Sequence, residues 1–308
     1  MFFSSLNLFF SCVRGIDLSD FSDDDMSNFY DSISSPLSYI FNIDKTMGIH
    51  LGYYEKGIRT YENSIINMNH YVGKLLDLDK LNDKKDGRIL DAGCGVGGTL
   101  IYFAKTYKNI NYMGINISPS QIHLANKFAL ENGAESKIDF LLGNFIETKM
   151  LNNYFDGICV IESVCHAYDK KKFLREMYRI LKSEGKLVVI DGFLRKQPTS
   201  YFCKIAYDYF CKEYMIPFFE KIEIFKSDLS ETGFTDIKVR YITKNIFVSF
   251  IIQNLRTLSY IWIKDQKEDK KITKKNYRKS FVKLIKDIFT PIVVGLNLRY
   301  VTFVAIKK

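Results

Sequence analysis

Three groups of residues in this chain have the types and spacing to do chemistry. The first lies in "RILDAGCGVGGTL", which begins at Arg88: Gly93, Gly95 and Gly98 satisfy the spacing G-x-G-x-x-G, Gly97 adds a further glycine, and Asp91 stands just ahead of them. Glycines at a strand-to-helix turn let the backbone approach a ligand closely and permit positive φ. The N–H groups that open the following helix suit an anion, whether a pyrophosphate or an α-carboxylate. The glycines alone therefore admit two classes of cofactor. Asp91 separates them, because a carboxylate beside the turn repels a pyrophosphate and attracts the α-ammonium group of an amino-acid-bearing cofactor such as S-adenosylmethionine. The second group is Glu162 and His166 in "CVIESVCHAYD", at the end of an apolar run, where either side chain can accept a proton or steer a substrate group. The third is the aromatic-rich segment "FYDSISSPLSYIFNIDKTMGIHLGYYE". Aromatic faces attract a sulfonium by about 0.5 to 2 kcal/mol, depending on desolvation.

The elements that must position these groups follow from periodicity. Residues 88 to 191 alternate short β-branched runs with amphipathic segments, the pattern of a doubly wound parallel sheet with helices on both faces. Strands are expected at 88–92, 112–117, 138–142, 155–161 and 186–190, and two more in "FTDIKVRYITKN" and "NLRYVTFVAIKK". "SPSQIHLANKFALENG" carries Ser118 as N-cap, Pro119 at the first helical position, Gln121 closing a capping box and Gly133 as terminator. "KKFLREMYRILKSEG" places Phe173, Leu174, Met177, Ile180 and Leu181 on one face and is expected to run to about Gly185. "TSYFCKIAYDYFCKEYMIPFFEKI" reads as an aromatic helix that stops near Pro217, a cap beyond the fifth strand.

At "LDAGCGVGG" the sequence resembles the class I S-adenosylmethionine-dependent methyltransferases, whose first motif is roughly [LV]-[DE]-x-G-x-G-x-G. "YMGINISPSQIHLANKFA" and "IDFLLGNFIE" fall where that family contacts ribose and adenine. Two positions depart from its pattern: Asn116 replaces the usual acidic partner of the ribose hydroxyls, and Asn144 replaces an Asp that often accepts from the adenine amino group. An asparagine still offers a carbonyl oxygen, and a dehydrogenase would want a carboxylate near position 116. The G-I-N-I-S variant and the E-x-x-x-H spacing resemble the branch containing sterol 24-C-methyltransferases, tocopherol methyltransferases and cyclopropane fatty acid synthases. In that branch an N-terminal tyrosine-bearing segment folds over the cofactor, and Tyr30, His50, Tyr53 and Tyr54 are the residues that match it. The resemblance runs from about residue 28 to the C-terminus and weakens through 194–220 and 246–290.

What the resemblance implies is an α/β fold with a doubly wound, mostly parallel seven-stranded sheet, an N-terminal helical segment and an inserted helical cap. Its parts would be a tail and lid over 1–60, a cofactor-binding core over 61–192, the cap over 193–222, and the rest of the core over 223–308 with a helical insertion at about 246–290. S-adenosylmethionine would be held by Tyr30, Tyr53, Asp91, Gly93, Gly95, Gly97, Asn116, Ile117, Gln121, Asn144, Phe145 and Glu162. Glu162 and His166 would face the acceptor as catalytic groups, and Tyr201, Phe202, Tyr207 and Phe210 of the cap would line an apolar acceptor pocket. No metal is implied. The acceptor would be a small, mainly apolar molecule such as a sterol, phenol, quinone or isoprenoid, with a small amine or a membrane lipid as alternatives; outside the class stands a non-catalytic binding or scaffold role.

Composition narrows the field further. With 47% hydrophobic and 26% charged residues the 308-residue chain reads as a soluble globular protein. Its cysteines, at 12, 94, 159, 165, 203 and 211, form no C-x-x-C pair, which fits a reduced, cytoplasmic protein. "MFFSSLNLFFSCV" lacks the basic region of a secretory signal and reads as a partly ordered tail. "IFVSFIIQNLRTLSYIWI" is interrupted by Gln253, Asn254 and Arg256, so no membrane span is expected. Net charge is +9, and residues 264–287 hold ten Lys or Arg against four Asp or Glu. No RNA-binding signature accompanies that stretch, so no nucleic-acid partner is expected; it reads as a solvated helical face or as a site of peripheral contact with anionic membrane.

Overall fold

The chain opens, in a computed structural model that describes residues 22–84, 86–268 and 295–308, on short helices. α1 (Asp23–Ser32) starts from a capping box in which the Ser22 hydroxyl accepts from Asp25 N–H and the Asp25 carboxylate returns the bond. α2 (Ser34–Phe41), α3 (Ile43–Thr46), α4 (Tyr61–Leu75) and α5 (Leu78–Asn82) follow. The alternating part is β1 (Gly87–Ala92), α6 (Gly98–Thr106), β2 (Ile110–Asn116), α7 (Pro119–Glu131), β3 (Ile138–Leu142), β4 (Phe155–Ile161), α8 (Lys170–Ile180) and β5 (Leu181–Leu194). Then come α9 (Tyr201–Glu213), α10 (Ile222–Thr232), β6 (Phe234–Tyr241), α11 (Thr243–Glu268) and β7 (Leu298–Lys307).

The strands form one seven-stranded sheet in the order β3-β2-β1-β4-β5-β7-β6. β1 to β5 run parallel, and β7 lies antiparallel between β5 and β6. Successive strand side chains point to opposite faces, and the core divides accordingly. Ile89, Cys159, Ile161 and Val188 pack with Met68 and Val72 of α4 and Leu100 and Phe103 of α6. Leu90, Ile158, Val160 and Leu187 pack on the other face with Phe173 and Met177 of α8 and Phe225 and Leu229 of α10. Strand order reverses between β1 and β4, and there the carboxyl ends open a crevice.

Four local expectations change. α8 stops at Ile180, short of Gly185, because Leu181 already pairs with Phe155 as the first residue of β5. Ser118 does cap α7 by accepting from Gln121 N–H, but the Gln121 side chain accepts from Asn116 instead of closing the box. The cap helix α9 ends at Glu213, before Pro217. Finally, Thr243–Ile263 of α11 is long and apolar enough to cross a membrane by length and composition. Its polar residues are engaged on the protein: Gln253 donates to Tyr61 Oη, and the Arg256 guanidinium lies over the Tyr61 ring and reaches Ile40 O. That docking, with Ser249 buried against Gly52 N–H, fixes one side of the helix to the α2–α4 region. The expected tail and most of the basic stretch 264–287 lie outside the described residues.

Candidate functional site

β1 ends at Ala92, and the chain turns through Gly93, Gly95 and Gly97 with φ of +94°, +53° and +84°. Each glycine answers a different constraint. A Cβ on Gly95 would meet only Ile49, at 3.8 Å, so this residue faces open cleft. A Cβ on Gly93 would stand 2.4 Å from Ser163 Cβ, which brings the β1 turn against the end of β4. At Gly97 it would lie 2.5 Å from the Phe140 ring, so this glycine serves packing and does not line the cleft as expected. The turn is tied down by Gly93 N–H and Cys94 N–H, which both donate to Ile115 O of β2.

The cleft above these strand ends gathers Gly93, Gly95, Asn116, Ile117 and Gln121 with Asn144, Phe145, Glu162 and His166, and α1 brings Tyr30 to it. Asn116 sits at the end of β2, donating to Gly95 O at 3.3 Å and to Gln121 Oε1 at 2.6 Å, with its own Oδ1 accepting from Ile117 N–H. It thus braces the glycine turn as well as facing the cleft. Asn144, just beyond β3, accepts from Ile146 N–H and donates to both carboxylate oxygens of Asp23, at 2.8 and 2.9 Å.

Asp91 is placed differently from expectation. Its carboxyl is buried beneath the turn, in register with Gly114 and Cys159, and is not part of the cleft wall. Burial pushes its pKa up to about 7, against a smaller opposing bond from the Cys159 thiol. Among the described residues no Lys or Arg forms an ion pair with it. Its influence on a ligand is that of a buried, uncompensated charge acting through the turn, which a cation above would relieve.

Glu162 and His166 stand on the opposite lip. Glu162 leaves β4 with a φ of +51° and its N–H on Ile190 O. Its Oε1 accepts from Leu51 N–H at 2.6 Å and from the Tyr300 hydroxyl, so one carboxylate ties the N-terminal segment and β7 to the site. Burial lifts its pKa to about 7, and the same two hydrogen bonds hold it from going higher. His166 closes a 3-10 turn; its Nδ1 lies 3.2 Å from Met215 O and its Nε2 2.8 Å from Tyr30 Oη. A carbonyl can only accept, so Nδ1 carries the proton, and in the neutral ring Nε2 accepts from the tyrosine. Burial drives the His166 pKa down to about 4, which keeps the ring neutral.

The aromatic expectations divide. Of Tyr30, His50, Tyr53 and Tyr54, only Tyr30 lines the cleft. Tyr53 is buried and stacked on Tyr71 with centroids 4.5 Å apart, so it packs the core instead of meeting a ligand. His50 is buried with Nδ1 on Leu51 O, and Tyr54 pairs through its backbone with Asn245. Tyr201, Phe202, Tyr207 and Phe210 do not line the cleft either: Tyr207 accepts from Phe219 N–H, Phe210 packs on Tyr214 and Phe219, and the first two point outward. The cap contributes Pro217. Residues the sequence did not reveal are Asp23, Met26, Ile49, Ser163 and Tyr168. Only the apolar spacing of Met26 and Tyr30 within an acidic helix could have hinted at that inward face.

The methyltransferase-domain family profile matches residues 90–189, the span from the glycine turn to β5. Over those residues the chain carries a methyltransferase domain. Ajmaline N-methyltransferase of Rauvolfia serpentina is 34% identical over 147 residues, 46% of this chain and 50% of that protein. Sterol 24-C-methyltransferase of Kluyveromyces lactis is 29% identical over 188 residues, 60% and 48% of the respective chains. The chain thus spans about half the length of these curated relatives. The solved [4+2]-cyclase SpnF superposes on the whole fold with a TM-score of 0.73 at 18% identity, covering 93% of this chain and 96% of that one. The fold is therefore shared with a protein named for different chemistry, and activity must be argued from the site.

Proposed function

We propose that this protein is an S-adenosylmethionine-dependent methyltransferase acting on a small, mainly apolar acceptor. The observation that carries the reading is the buried Asp91 carboxyl, without an ion-pair partner among the described residues, just ahead of an open glycine turn, a place that favours a cationic amino acid headgroup. Across the strand ends the cleft then offers Asn116 at the end of β2 and Gln121 of α7, for ribose, and Asn144 and Phe145 beyond β3, for a base. On the other side of the turn, Glu162 and His166 meet the acceptor. Bound there, the cofactor supplies an electrophilic methyl group for a nucleophilic carbon, oxygen or nitrogen.

The chain's own work is alignment, exclusion of water and management of one proton, and good alignment alone is worth about 7 to 11 kcal/mol. α1 closes the cleft from above, with Met26 buried beneath it. Neutral His166 and its Tyr30 partner give the acceptor a proton path that needs no solvent. Met26, Ile161, Tyr168 and Pro217 make the surroundings predominantly apolar, which suits acceptors of the kinds the curated relatives are named for, ajmaline and a sterol.

Calorimetric titration should show binding of S-adenosylmethionine and none of NAD. Release of S-adenosylhomocysteine should then depend on an acceptor from a panel of sterols, phenols, isoprenoids and amines. Tight cofactor binding with no acceptor-dependent release would favour a non-methylating role of the kind the shared fold permits.

A peripheral membrane contact is part of the same proposal. Val248, Ile251, Leu255 and Trp262 present an exposed apolar face along α11, and the sequence that follows holds the basic excess of residues 264–287. Co-sedimentation with vesicles should rise steeply with anionic lipid content and fall with salt; binding indifferent to lipid charge removes this contact.

A further inference from the structure

The base end of the cleft poses a problem of hydrogen-bond sign. Adenine presents an exocyclic amino group, which donates, so a site that selects it must offer an acceptor. Asn144 stands where the resemblance puts that acceptor, yet it is a neutral amide whose Oδ1 already accepts from Ile146 N–H, with one lone pair left, and its other end is the donor Nδ2. What Nδ2 meets is Asp23, which receives it on both carboxylate oxygens. Apart from Glu162, far off at the β4 lip, Asp23 is the carboxylate lining the cleft among the described residues.

Asp23 is held there by more than that pair. It is the first residue of α1, whose start is fixed by the Ser22–Asp25 capping box. The far end of the helix is pinned where the Asp31 carboxylate accepts from the hydroxyls of Ser118, at 2.7 Å, and Ser120, at 2.5 Å, at the head of α7. Each Asp23 oxygen retains lone-pair capacity after bonding one N–H.

We infer that Asp23 supplies the acceptor for the adenine amino group, so that the nucleobase is read by the N-terminal helix and Asn144 orients the reading carboxylate. The inference rests on the cofactor assignment above. It also links two ends of one helix: Tyr30, about 10 Å further along α1, bonds His166, so a base seated against Asp23 holds Tyr30 on the acceptor side.

The test compares S-adenosylhomocysteine with S-inosylhomocysteine, in which an oxygen replaces the amino group. By calorimetry the wild-type protein should prefer the adenosine compound by at least tenfold. Asp23→Ala, which leaves the Ser22 cap intact, should bring the two affinities within about threefold by weakening the adenosine compound selectively. Adding Asn144→Asp to that variant should restore the preference. If Asp23→Ala weakens both compounds equally, or leaves the preference intact, Asp23 is only a helix anchor and the inference is overturned. Equal affinities in the wild-type protein overturn it while leaving the cofactor assignment standing; failure of the wild-type protein to bind S-adenosylhomocysteine removes both.

Discussion

Asp91→Asn is expected to stabilise the ligand-free protein at pH 8 and to weaken S-adenosylmethionine binding by two orders of magnitude or more. The two effects have one cause. The Asp91 carboxyl is buried, with a folded pKa of about 7 against an ordinary 3.8. A carboxylate whose folded pKa is raised contributes stability that is fully present below its unfolded pKa and is lost as pH climbs through the folded value. The loss therefore accumulates between about pH 4 and 7 and is complete at pH 8, where a shift of this size corresponds to something on the order of 4 kcal/mol. The amide carries no charge to desolvate, so a melting curve at pH 8 should move up while one at pH 4 should scarcely change. A cationic headgroup over the turn loses its counter-charge in the same variant. Unchanged affinity would remove the electrostatic basis of the cofactor assignment. His166 works in the opposite sense: its folded pKa of about 4 lies below the usual 6.5, so its contribution is present above the ordinary value and is lost as pH falls. Between about pH 4 and 6.5 the two contributions run in opposite directions, so the difference between wild type and Asp91→Asn isolates the Asp91 part.

Much of this site was legible because its determinants are local. A strand followed by glycines is written in consecutive residues, and the five parallel strands appear within a few residues of their expected places. Ser118 could be named as an N-cap because a cap acts on its own helix. What failed to show was whatever depends on contacts distant in sequence. Three aspartates at the start of a helix read as favourable charge at its N-terminus, and nothing nearby says that Asp23 will meet Asn144, 121 residues on. Gly97 and Tyr53 carry the residue types of a ligand site, yet Phe140 and Tyr71 claim them for packing. The aromatic stripe of α9 admits a pocket and a core alike, and it is the core that takes Tyr207 and Phe210. Lys182 to Gly185 looked like a polar helix tail because pairing of Leu181 with Phe155 depends on β4, not on the helix. Asp91 was found by its position in the motif, while its burial came from the sheet that encloses it.

Glu162 gives the second large effect, and two substitutions divide its structural role from its chemical one. Glu162→Ala leaves Leu51 N–H and the Tyr300 hydroxyl without their acceptor. An unsatisfied buried polar group costs about 1 to 3 kcal/mol, so the variant should melt well below wild type and turn over poorly because the N-terminal segment is no longer held. Glu162→Gln keeps an oxygen for both donors and should retain most of the stability and the cofactor affinity. It cannot titrate. If Glu162 takes up the acceptor's proton, kcat of the wild-type protein should rise with pH through about 7, the value to which burial lifts this carboxyl, and in the glutamine variant that rise should vanish along with at least 100-fold of the rate. His166 cannot produce the same break, because it is already neutral above about pH 5. Nor can Asp91, since kcat reports the fully bound enzyme, in which a cationic headgroup holds that carboxylate ionised. A rise near pH 7 that survives in Glu162→Gln would leave the carboxylate a structural tie between Leu51 and Tyr300 and place the titrating group elsewhere.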